Sequence, residues 1–499
     1  MKNIKIFVIA CLAVLLSSCH RDLEISEWVQ SSPENFWTVH SLTDISSEHS
    51  DSEVVINPKG TLQTVEGFGS CFNEQGWASL SALSPSDRTA VLAELYEPGK
   101  GAALTLGRMP VAANDFSLDY YSYDGTDGDF QMKDFSISHD EKTLLPYIKN
   151  AMKYQPELKL WASPWCPPEW MKKNMHYGEM AAVKWNLMIR HYQQSMKDKL
   201  NTDPLRFRME LLKNDTPEDS MGYEGVTSFI MQPKYLRAYA KYFGMFVDAY
   251  KKEGVNITMV MPQNEPNSNQ PYPSCCWTAR DLNTFIGKYL GPEMKKHHVE
   301  VFAGTCERPD PQKVDTILSD RLSARYVRGA GFQWAGLAAL PVIHQRYPHL
   351  TLYATEQECG NGLNNWEGAM HSWNLMKEYF RGGVNAYFYW NTSLFENKAS
   401  RWGWYQNSLV TVNEKMHSYR FTPEYYMLKH ASHYIRPGAK FLKQRGNYKD
   451  AIAFVNPDQS LVVLMANQAN HVKNVSLVIA GKVQTVSLEP NTVNTFLLK

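Results

Sequence analysis

The segment ITMVMPQNEP, residues 257–266, and the segment TLYATE, residues 351–356, each run from a short apolar stretch into a glutamate. Runs of this length and composition predict buried strands. A glutamate that directly follows such a strand is poorly placed for a purely solvated role. Two surface or salt-bridged glutamates are the alternative, but the same arrangement at two separate strands favours a shared function. We therefore expect Glu265 and Glu356 to meet at one site.

Short apolar runs alternate with helix-like stretches from about residue 60 to residue 430. This rhythm predicts βα units around a parallel sheet. The helix-like stretch Tyr235–Tyr250, for example, spaces its aromatic residues along one side. The number of candidate strands predicts a (β/α)8 barrel, the TIM-barrel fold. The eight candidates are Val65–Asn73, Ala103–Arg108, Leu158–Ser163, Ile257–Pro262, Val299–Gly304, Gly329–Trp334, Thr351–Glu356 and Val384–Trp390.

The pattern changes after about residue 440, where short strands separated by turn signals predict a side antiparallel β-sandwich. These strands are Ala451–Asn456, Leu461–Asn467, Val475–Ala480, Val483–Leu488 and Thr495–Leu498. The stretch 50–62 could add a further strand. We assign residues 60–430 to the barrel, and residues 49–59 plus 431–499 to the sandwich. The polar residues 20–48 are predicted to be a tether, and the polar insertion 173–230 is left without a structural assignment.

The N-terminus has the pattern of a targeting segment. Lys2 and Lys5 precede an apolar run of 11 residues, Ile6–Leu16, which is too short to span a bilayer. The run ends in Ser17-Ser18-Cys19, which resembles a bacterial lipobox, with an ordinary signal peptide that contains a cysteine as the alternative. We expect residues 1–19 to be a lipoprotein signal. The protein would then be exported and held at the outer membrane, on its periplasmic or cell-surface face, through a lipid on Cys19 alone.

Composition narrows the choice of partners. The 499-residue chain carries 51 basic and 51 acidic side chains, so it lacks the basic excess that nucleic-acid-binding proteins normally have. Aromatic residues make up 12% of the chain, which suits contact with the apolar faces of sugar rings. The six cysteines beyond residue 19 lack the CxxC spacing of a zinc or redox site, and we expect neither a metal nor a cofactor. The adjacent Cys275 and Cys276 are predicted to be free thiols, while the pairing of the others is left open.

Two carboxyls at the C-terminal face of a barrel can cleave a glycosidic bond with retention of configuration. One must be protonated so that it can donate to the leaving oxygen, and the other must be ionised so that it can attack the anomeric carbon. Arg108 ends the second candidate strand and is the predicted cation that keeps the nucleophile ionised. A structural ion pair is the alternative role for Arg108.

At this point the chain resembles glycoside hydrolase family 30, the family of glucosylceramidases and β-1,6-glucanases, over roughly residues 60–499. The order and number of the matches make the resemblance specific. The matching segments are VEGFG at 65–69, RMP at 108–110, NDFS at 114–117, ASPWCPPEWMK at 162–172, QNEP at 263–266, TE at 355–356, YWN at 389–391, FTPEYY at 421–426 and IRPG at 435–438. The resemblance implies a double displacement in which Glu265 is the general acid/base and Glu356 the nucleophile.

The resemblance also implies roles for residues that would surround the first glucose. Asp115 and Trp165 would bind its hydroxyls, and Asn264 would hydrogen-bond the 2-hydroxyl. Trp390 would form an apolar platform under the ring. The alternatives are core aromatics for the two tryptophans, a turn or cap residue for Asp115 and a strand-end turn former for Asn264.

One segment departs from the human-type glucosylceramidases, which carry a His-Trp-Tyr motif at the end of the sixth strand. This chain reads Gln333-Trp334-Ala335 there, so a contact in the pocket wall is missing while Trp334 is kept and is expected to bind substrate. Together with the sequence after Glu356, this departure favours the bacterial and fungal β-1,6-glucanase branch. Further sugar-stacking surfaces are expected among Tyr120, Tyr121, Tyr123, Trp366 and Trp402.

The expected function is therefore a retaining β-glycoside hydrolase that acts on β-linked glucose, with β-1,6-glucan or its oligosaccharides as substrate. A glucosylceramidase or an exo-β-glucosidase of the same family is the first alternative. A glycosyl-transferring enzyme with the same residues is a further one. A non-catalytic, surface glycan-binding lipoprotein is the alternative from another class, although both glutamates are present.

Overall fold

The computed structural model describes residues 23–195, 208–212, 221–358 and 360–499. Its central element is a closed barrel of eight parallel strands, in which each strand pairs with the next and the eighth pairs with the first. The predicted (β/α)8 barrel is confirmed, and each predicted strand overlaps an observed one with shifts at the ends. In chain order the barrel strands are Gly67–Cys71, Leu106–Pro110, Lys159–Ser163, Ile257–Val260, Glu300–Cys306, Val327–Gln333, Thr351–Glu356 and Ala386–Asn391.

Helices cover the outside of the barrel. Pro233–Lys252 is the longest of those described, and it buries Tyr239, Phe243 and Phe246 against the strands, as the aromatic spacing predicts. Asparagine, serine or threonine side chains cap several helices by accepting a hydrogen bond from the first turn. The α-helices are Glu74–Ser81, Pro85–Tyr96, Leu144–Met152, Ala182–Ser195, Pro233–Lys252, Ala279–Phe285, Gly291–Lys296, Gln312–Ser319, Arg321–Ala324, Leu340–Arg346, Trp366–Arg381 and Pro423–Ser432.

Short elements complete the connections. A single π-helical turn, Ile286–Leu290, links two of the helices. The 3₁₀ turns are Leu42–Asp44, Asp140–Lys142, Glu169–Met171 and Trp334–Ala339. Two small sheets lie among the loops, formed by Ser393–Phe395, Val410–Asn413 and Ser418–Phe421, and by Arg208–Met209 with Trp404–Tyr405.

Side chains fill the interior of the barrel. The inward-facing residues form a buried cluster of Leu106, Trp161, Met259, Met261, Phe302, Tyr353, Ala386 and Phe388. The packing is tight enough that a Cβ on Gly69 would lie 2.5 Å from the ring of Phe388. Because this plug occupies the barrel axis, a substrate can reach the strands only at their carboxyl ends.

A second domain is built from one nine-stranded sheet. Some of its buried side chains form a separate hydrophobic cluster, while others, such as Ile452, Phe454 and Leu464, join the main cluster that includes the barrel. The five predicted C-terminal strands are present. The predicted antiparallel pattern needs one correction, because Ser52–Thr64 pairs in parallel with Lys473–Ile479. In sheet order the strands are Thr38–Val39, Ile25–Ser31, Thr492–Leu498, Leu461–Asn467, Ala451–Val455, Lys440–Arg445, Ser52–Thr64, Lys473–Ile479 and Lys482–Leu488.

The predicted tether is wrong for part of its length. Ile25–Ser31 is a strand that pairs with Thr492–Leu498 along its length. Its Trp28 is 2% exposed, and the indole donates a 2.9 Å hydrogen bond to Asn494. The average polarity of residues 20–48 concealed a short strand in which Ile25 and Trp28 pack in the sandwich core, while Val29 packs in the main hydrophobic cluster. The strand Ile25–Ser31 is therefore part of the sandwich domain.

The predicted signal segment and Cys19 lie outside the described residues. Within the described ranges, no helix combines the length and apolar character that a membrane span needs. Cys71, Cys166, Cys275, Cys276 and Cys306 are buried free thiols, which confirms the prediction for the adjacent pair.

Trp28→Ala tests whether the N-terminal strand belongs to the sandwich. We expect the variant to lose about 3–5 kcal/mol of stability, because a buried indole leaves a cavity behind. Thermal unfolding followed by calorimetry measures the loss as a lower midpoint. Val39→Ala, at a position 65% exposed, is the matched control and should leave the midpoint unchanged. An unchanged midpoint in Trp28→Ala would return the segment to the role of a tether.

Candidate active site

The carboxyl ends of the barrel strands bring the predicted chemical residues together. Glu356 is the last residue of the seventh strand, and Glu265 lies in the loop that follows the fourth. Gln333, the last residue of the sixth strand, links them, because its Nε2 lies 3.0 Å from Glu265 Oε1 and 3.1 Å from Glu356 Oε2. These two carboxyl oxygens therefore cannot be further apart than the sum of the two distances.

Glu356 is surrounded by hydrogen-bond donors. Its Oε2 accepts from Arg108 Nη1 at 2.9 Å and from Gln333, while its Oε1 accepts from the indole of Trp334 at 3.0 Å. Burial raises the pKa of Glu356 to about 7, while the Arg108 cation acts in the opposite direction and nearby Glu265 adds to the rise. The carboxyl is thus held on both oxygens by groups that favour its ionised form.

Arg108 lies at the centre of the site and is 0% exposed. Besides Glu356, its guanidinium donates to the carbonyl of Thr355 at 3.1 Å and to Asn264 Oδ1 at 2.7 Å. Indole rings enclose the cation, with their centroids 4.6–5.1 Å from the guanidinium carbon, and they belong to Trp161, Trp165 and Trp390. The predicted ion pair between Arg108 and Glu356 is present. Arg108 also holds neighbouring residues in place through its other hydrogen bonds.

Glu265 has fewer donors than Glu356. Its Oε1 accepts from Gln333, and burial raises the pKa of Glu265. The backbone at Glu265 has a φ of +47°, which is uncommon for a residue with a side chain. Thr305 stabilises this conformation, because its hydroxyl accepts a 3.2 Å hydrogen bond from the Glu265 amide. The turn aims the carboxyl across the barrel mouth toward Glu356.

The amide of Asn264 is oriented by its neighbours. Its Oδ1 accepts from Arg108, from the Thr305 hydroxyl at 2.9 Å and from Gln333 Nε2 at 3.2 Å. With the oxygen held in this way, the Asn264 Nδ2 is directed away from these three donors, and the residue borders the central cavity. It can therefore donate a hydrogen bond to a bound molecule.

The cavity at the barrel mouth has a volume of about 420 Å³. Asp115 and Trp165 line it together with both glutamates. Asp115 is only 7% exposed, and its Oδ1 has no hydrogen-bond partner among the described residues. Burial and the neighbouring Glu356 raise its pKa well above the usual range. Asp115 thus brings a carboxyl to the cavity wall, where a carboxyl is suited to accept a hydrogen bond from a hydroxyl group.

Not every predicted aromatic residue reaches this cavity. Trp390 lies behind Trp165, with ring centroids 5.3 Å apart, and it does not border the cavity. The expected stacking residues Tyr120, Tyr121, Tyr123, Trp366 and Trp402 are also absent from its wall as described. Tyr123, for example, is buried and donates to Asp140. Tyr272 and Trp404 line the wall instead. Loop paths, which the local sequence pattern does not encode, decide which aromatic residues face the cavity.

Several residues that line the cavity were not predicted from the sequence, although the sequence pattern at some of them could have indicated a site. Gln333 lies near the end of the predicted strand Gly329–Trp334, and Glu307 with Arg308 comes shortly after the predicted strand Val299–Gly304, in a pattern similar to the one that identified the two glutamates. Ala335, the position where the family tyrosine is missing, does line the cavity. No group of three or more His, Cys, Asp or Glu side chains in the described part of the chain is arranged to hold a metal ion.

Comparison with known proteins agrees with this geometry. The model of the glycosyl hydrolase family 30 TIM-barrel domain matches residues 65–200 and 210–435, and that of the family 30 beta sandwich domain matches residues 443–496. The lysosomal acid glucosylceramidase of Mus musculus is 26% identical, over 87% of this chain and 81% of its own. The endo-1,6-beta-D-glucanase BGN16.3 of Trichoderma harzianum is 25% identical, over 88% and 85%.

Solved structures share the whole fold. SrfJ from Salmonella typhimurium has a TM-score of 0.78 at 21% identity, over 94% of this chain and 98% of its own. The endo-beta1,6-glucanase BT3312 has a TM-score of 0.75 at 22% identity, over 94% and 98%. The two domain matches cover most of the sequence, and the barrel-mouth carboxyls lie within them. The chain therefore belongs to glycosyl hydrolase family 30 and is a glycosidase.

Proposed function

We propose that this protein is a retaining hydrolase of β-linked glucosides, with Glu356 as nucleophile and Glu265 as general acid/base. The observation that carries the proposal is the shared contact with Gln333 Nε2, at 3.0 and 3.1 Å from the two carboxyls. This contact limits the distance between these two oxygens to less than the separation of an inverting pair, which supports a retaining pair, whose carboxyls stand about 5–5.5 Å apart. Inverting pairs stand about 6.5–9.5 Å apart.

The hydrogen-bond donors around each carboxyl indicate which of the two glutamates holds the proton. Glu356 accepts hydrogen bonds from Arg108, Gln333 and Trp334, all of which stabilise a carboxylate. Glu265 shares only the Gln333 donor among these, and because burial disfavours the charged form of both carboxyls, it is the donors that distinguish them. When the pair holds one proton, it therefore resides on Glu265, and Glu356 is the ionised member.

The reaction then proceeds in two displacements. The Glu356 carboxylate forms a bond to the anomeric carbon while the glycosidic C–O bond breaks and the Glu265 proton moves to the leaving oxygen. Water next attacks the same carbon, its proton passes to Glu265, and the ester bond to Glu356 breaks. Both carboxyls return to their initial protonation states, and the configuration of the sugar is retained.

The cavity residues supply contacts for the glucose that reacts. The carboxyl of Asp115 and the amide of Asn264, which both border the cavity, are suited to bind two hydroxyl groups. Trp165 offers its ring at the wall, and we assign Trp390 a supporting role behind it in place of a platform under the sugar. Trp334 would contact the same sugar from the side of Glu356.

We expect replacement of each of the two glutamates to reduce activity in a different way. Glu356→Gln should lose essentially all turnover, because an amide cannot attack the anomeric carbon. Glu265→Ala should lose most activity on glycosides with poor leaving groups but keep more on activated aryl glucosides, which need little protonation. Steady-state rates on both substrate types measure the difference.

Trapping and rescue check the same assignment independently. A fluorinated glucoside should label Glu356, and mass spectrometry of the digested protein would locate the label. Azide should restore turnover of the Glu265→Ala variant and give a β-configured glycosyl azide. A label on another residue would overturn the assignment of the nucleophile.

Trp334→Phe tests how the indole acts on the nucleophile. Its N–H lowers the pKa of Glu356, so the loss of this donor raises that pKa, and the ionised form is reached only at higher pH. The acid limb of the kcat/KM profile, expected near pH 7 in the native protein because the pKa of Glu356 is about 7, should move to higher pH. Trp404→Phe changes another wall of the cavity and should leave the acid limb in place. An acid limb unmoved in Trp334→Phe would contradict this role.

For the substrate we propose β-1,6-linked glucan or its oligosaccharides. The relatives include both an endo-1,6-beta-D-glucanase and a glucosylceramidase, at similar identity. The cavity wall beyond Glu265 favours the glucan, because it is polar and presents Ser268, Gln270, Glu307 and Arg308 to the leaving group. A second sugar can hydrogen-bond to such a wall, whereas the ceramide of a glycolipid would leave it without partners.

A panel of substrates tests this choice. We expect a higher rate on β-1,6-glucan than on β-1,3-glucan, xylan, an aryl β-glucoside or detergent-dispersed glucosylceramide. Product sizing separates endo from exo action, and added acceptor sugars reveal transfer. Cleavage of glucosylceramide with β-1,6-glucan untouched would favour the glucosylceramidase alternative. Binding of glucan without any cleavage would favour the glycan-binding lipoprotein.

We also propose that Cys19 carries a lipid that anchors the protein to the bacterial outer membrane. The supporting feature is the lipobox-like Leu16-Ser17-Ser18-Cys19 after an apolar run. Cys19→Ala should move the protein from the membrane fraction to the soluble fraction while glucosidase activity is kept, as immunoblots of separated fractions would show. Retention of the variant in the membrane fraction would argue against this anchor.

A further inference from the structure

A third acidic side chain lies on the Glu265 side of the cavity. Glu307 directly follows the fifth barrel strand, Glu300–Cys306, and borders the same cavity as the two catalytic carboxyls. It is only 2% exposed. Neither the proton transfer nor the nucleophilic attack described above uses it, so its presence needs a separate explanation.

The carboxyl of Glu307 holds the loop that carries Glu265. Its Oε1 accepts a 2.9 Å hydrogen bond from the backbone amide of Asn267 and a 3.0 Å hydrogen bond from the hydroxyl of Ser268. The Ser268 amide in turn donates to the carbonyl of Glu265 at 3.0 Å. Because Glu265 has a positive φ, this turn depends on such outside contacts to stay in place.

We propose that Glu307 is a positioning residue for the general acid/base, which fixes the turn of Glu265 and presents a second carboxyl to it. The inference rests on the proposed function, since it concerns the proton that Glu265 donates. It assigns Glu307 no contact with the reacting atoms. Its effect reaches the substrate only through Glu265.

Among the described residues, the charge of Glu307 has one weak ion-pair partner. Arg308 Nη1 lies 3.8 Å from Glu307 Oε1, while the Nε and Nη2 atoms of the same guanidinium donate to Glu224 at 3.0 and 3.2 Å. Burying a carboxyl is costly, and a neutral amide could accept the same two hydrogen bonds from Asn267 and Ser268 at lower cost. A buried carboxyl at this position is therefore better explained by its charge than by its shape.

Burial and the proximity of Glu265 raise the pKa of Glu307 to about 7. The two carboxyls act on each other, so an ionised Glu307 disfavours ionisation of Glu265 just as an ionised Glu265 disfavours ionisation of Glu307. The other groups that face these two carboxyls are Asp115, Glu356, Tyr272, Arg108, Arg308, Lys313, Cys276 and Cys306. Arg308 acts in the opposite direction, because it lowers the pKa of Glu265.

Glu307→Gln separates the charge from the hydrogen bonds. Glutamine keeps an acceptor for Asn267 and Ser268 but carries no charge, so the pKa of Glu265 should fall. The alkaline limb of kcat/KM on a glucoside with a poor leaving group should then move to lower pH by about one unit. The first displacement of an activated aryl glucoside needs no acid, so its alkaline limb should stay in place.

Two further variants and a control also test the inference. Arg308→Gln removes a cation and should move the same limb to higher pH. Glu307→Asp keeps the charge but shortens the reach to the loop, so kcat should fall while the limb keeps its position. Glu424→Gln is the matched control, since Glu424 is also buried, has a pKa raised by burial to about 7 and lies on the helix Pro423–Ser432 away from the cavity.

These experiments distinguish failure of the inference about Glu307 from failure of the proposed function. If the native protein cleaves aryl glucosides and Glu307→Gln leaves the alkaline limb in place on the poor substrate, the inference is wrong and the two-glutamate mechanism stands. The inference is equally wrong if Glu424→Gln moves that limb as far as Glu307→Gln does. Lack of hydrolysis by the native protein would instead contradict the proposed function itself. Unfolding midpoints of all variants identify any variant that fails to fold. If Glu307→Gln fails to fold, Glu307→Asp serves as the deciding test, because an unchanged kcat in that variant would contradict the positioning role.

Discussion

The active site depends on one buried cation. Arg108 has no exposed surface, and a charge in that position is tolerable only because it is paired and hydrogen-bonded. Its guanidinium contacts Glu356, the Thr355 carbonyl and Asn264, which come from separate strand ends, and three indoles enclose it. Removal of any one of these partners would leave part of the charge unsatisfied. The cation therefore fixes the relative positions of the seventh strand and the loop after the fourth.

Around this cation the protein concentrates acidic groups. Asp115, Glu265, Glu307 and Glu356 all border one cavity, and burial raises the pKa of each of them. Such a cluster is costly for stability, because each ionised carboxyl disfavours ionisation of the others. The same coupling keeps one proton available near neutral pH, which a general acid needs. The hydrogen bonds to Glu356 and the clamp on the Glu265 loop decide where that proton resides.

The packed barrel and the sandwich hold these acidic side chains close to one another. The filled barrel interior supports most of the strand ends that contribute to the site. Two site residues, Glu265 and Trp334, adopt positive φ angles, which persist only where the surrounding structure determines them. The sandwich is joined directly to the barrel, because Ser52–Thr64 belongs to the sandwich sheet and leads into the first barrel strand. Ile25–Ser31 pairs with the C-terminal strand, so both ends of the described chain meet in this domain.

By itself, the sequence determined the barrel, most of the sandwich strands and the two glutamates, because alternating apolar runs and the residues directly after them are local patterns. It also indicated Arg108 at a strand end, while the family resemblance placed Asp115, Trp165 and Asn264 at the site. It failed where the outcome depended on contacts between distant segments: the bridge through Gln333, the position of Trp390 behind Trp165, the clamp by Glu307 and the strand Ile25–Ser31. Local periodicity shows that a side chain is buried, but only the tertiary structure decides which atoms it is buried against, and the chemistry of this site depends on those atoms.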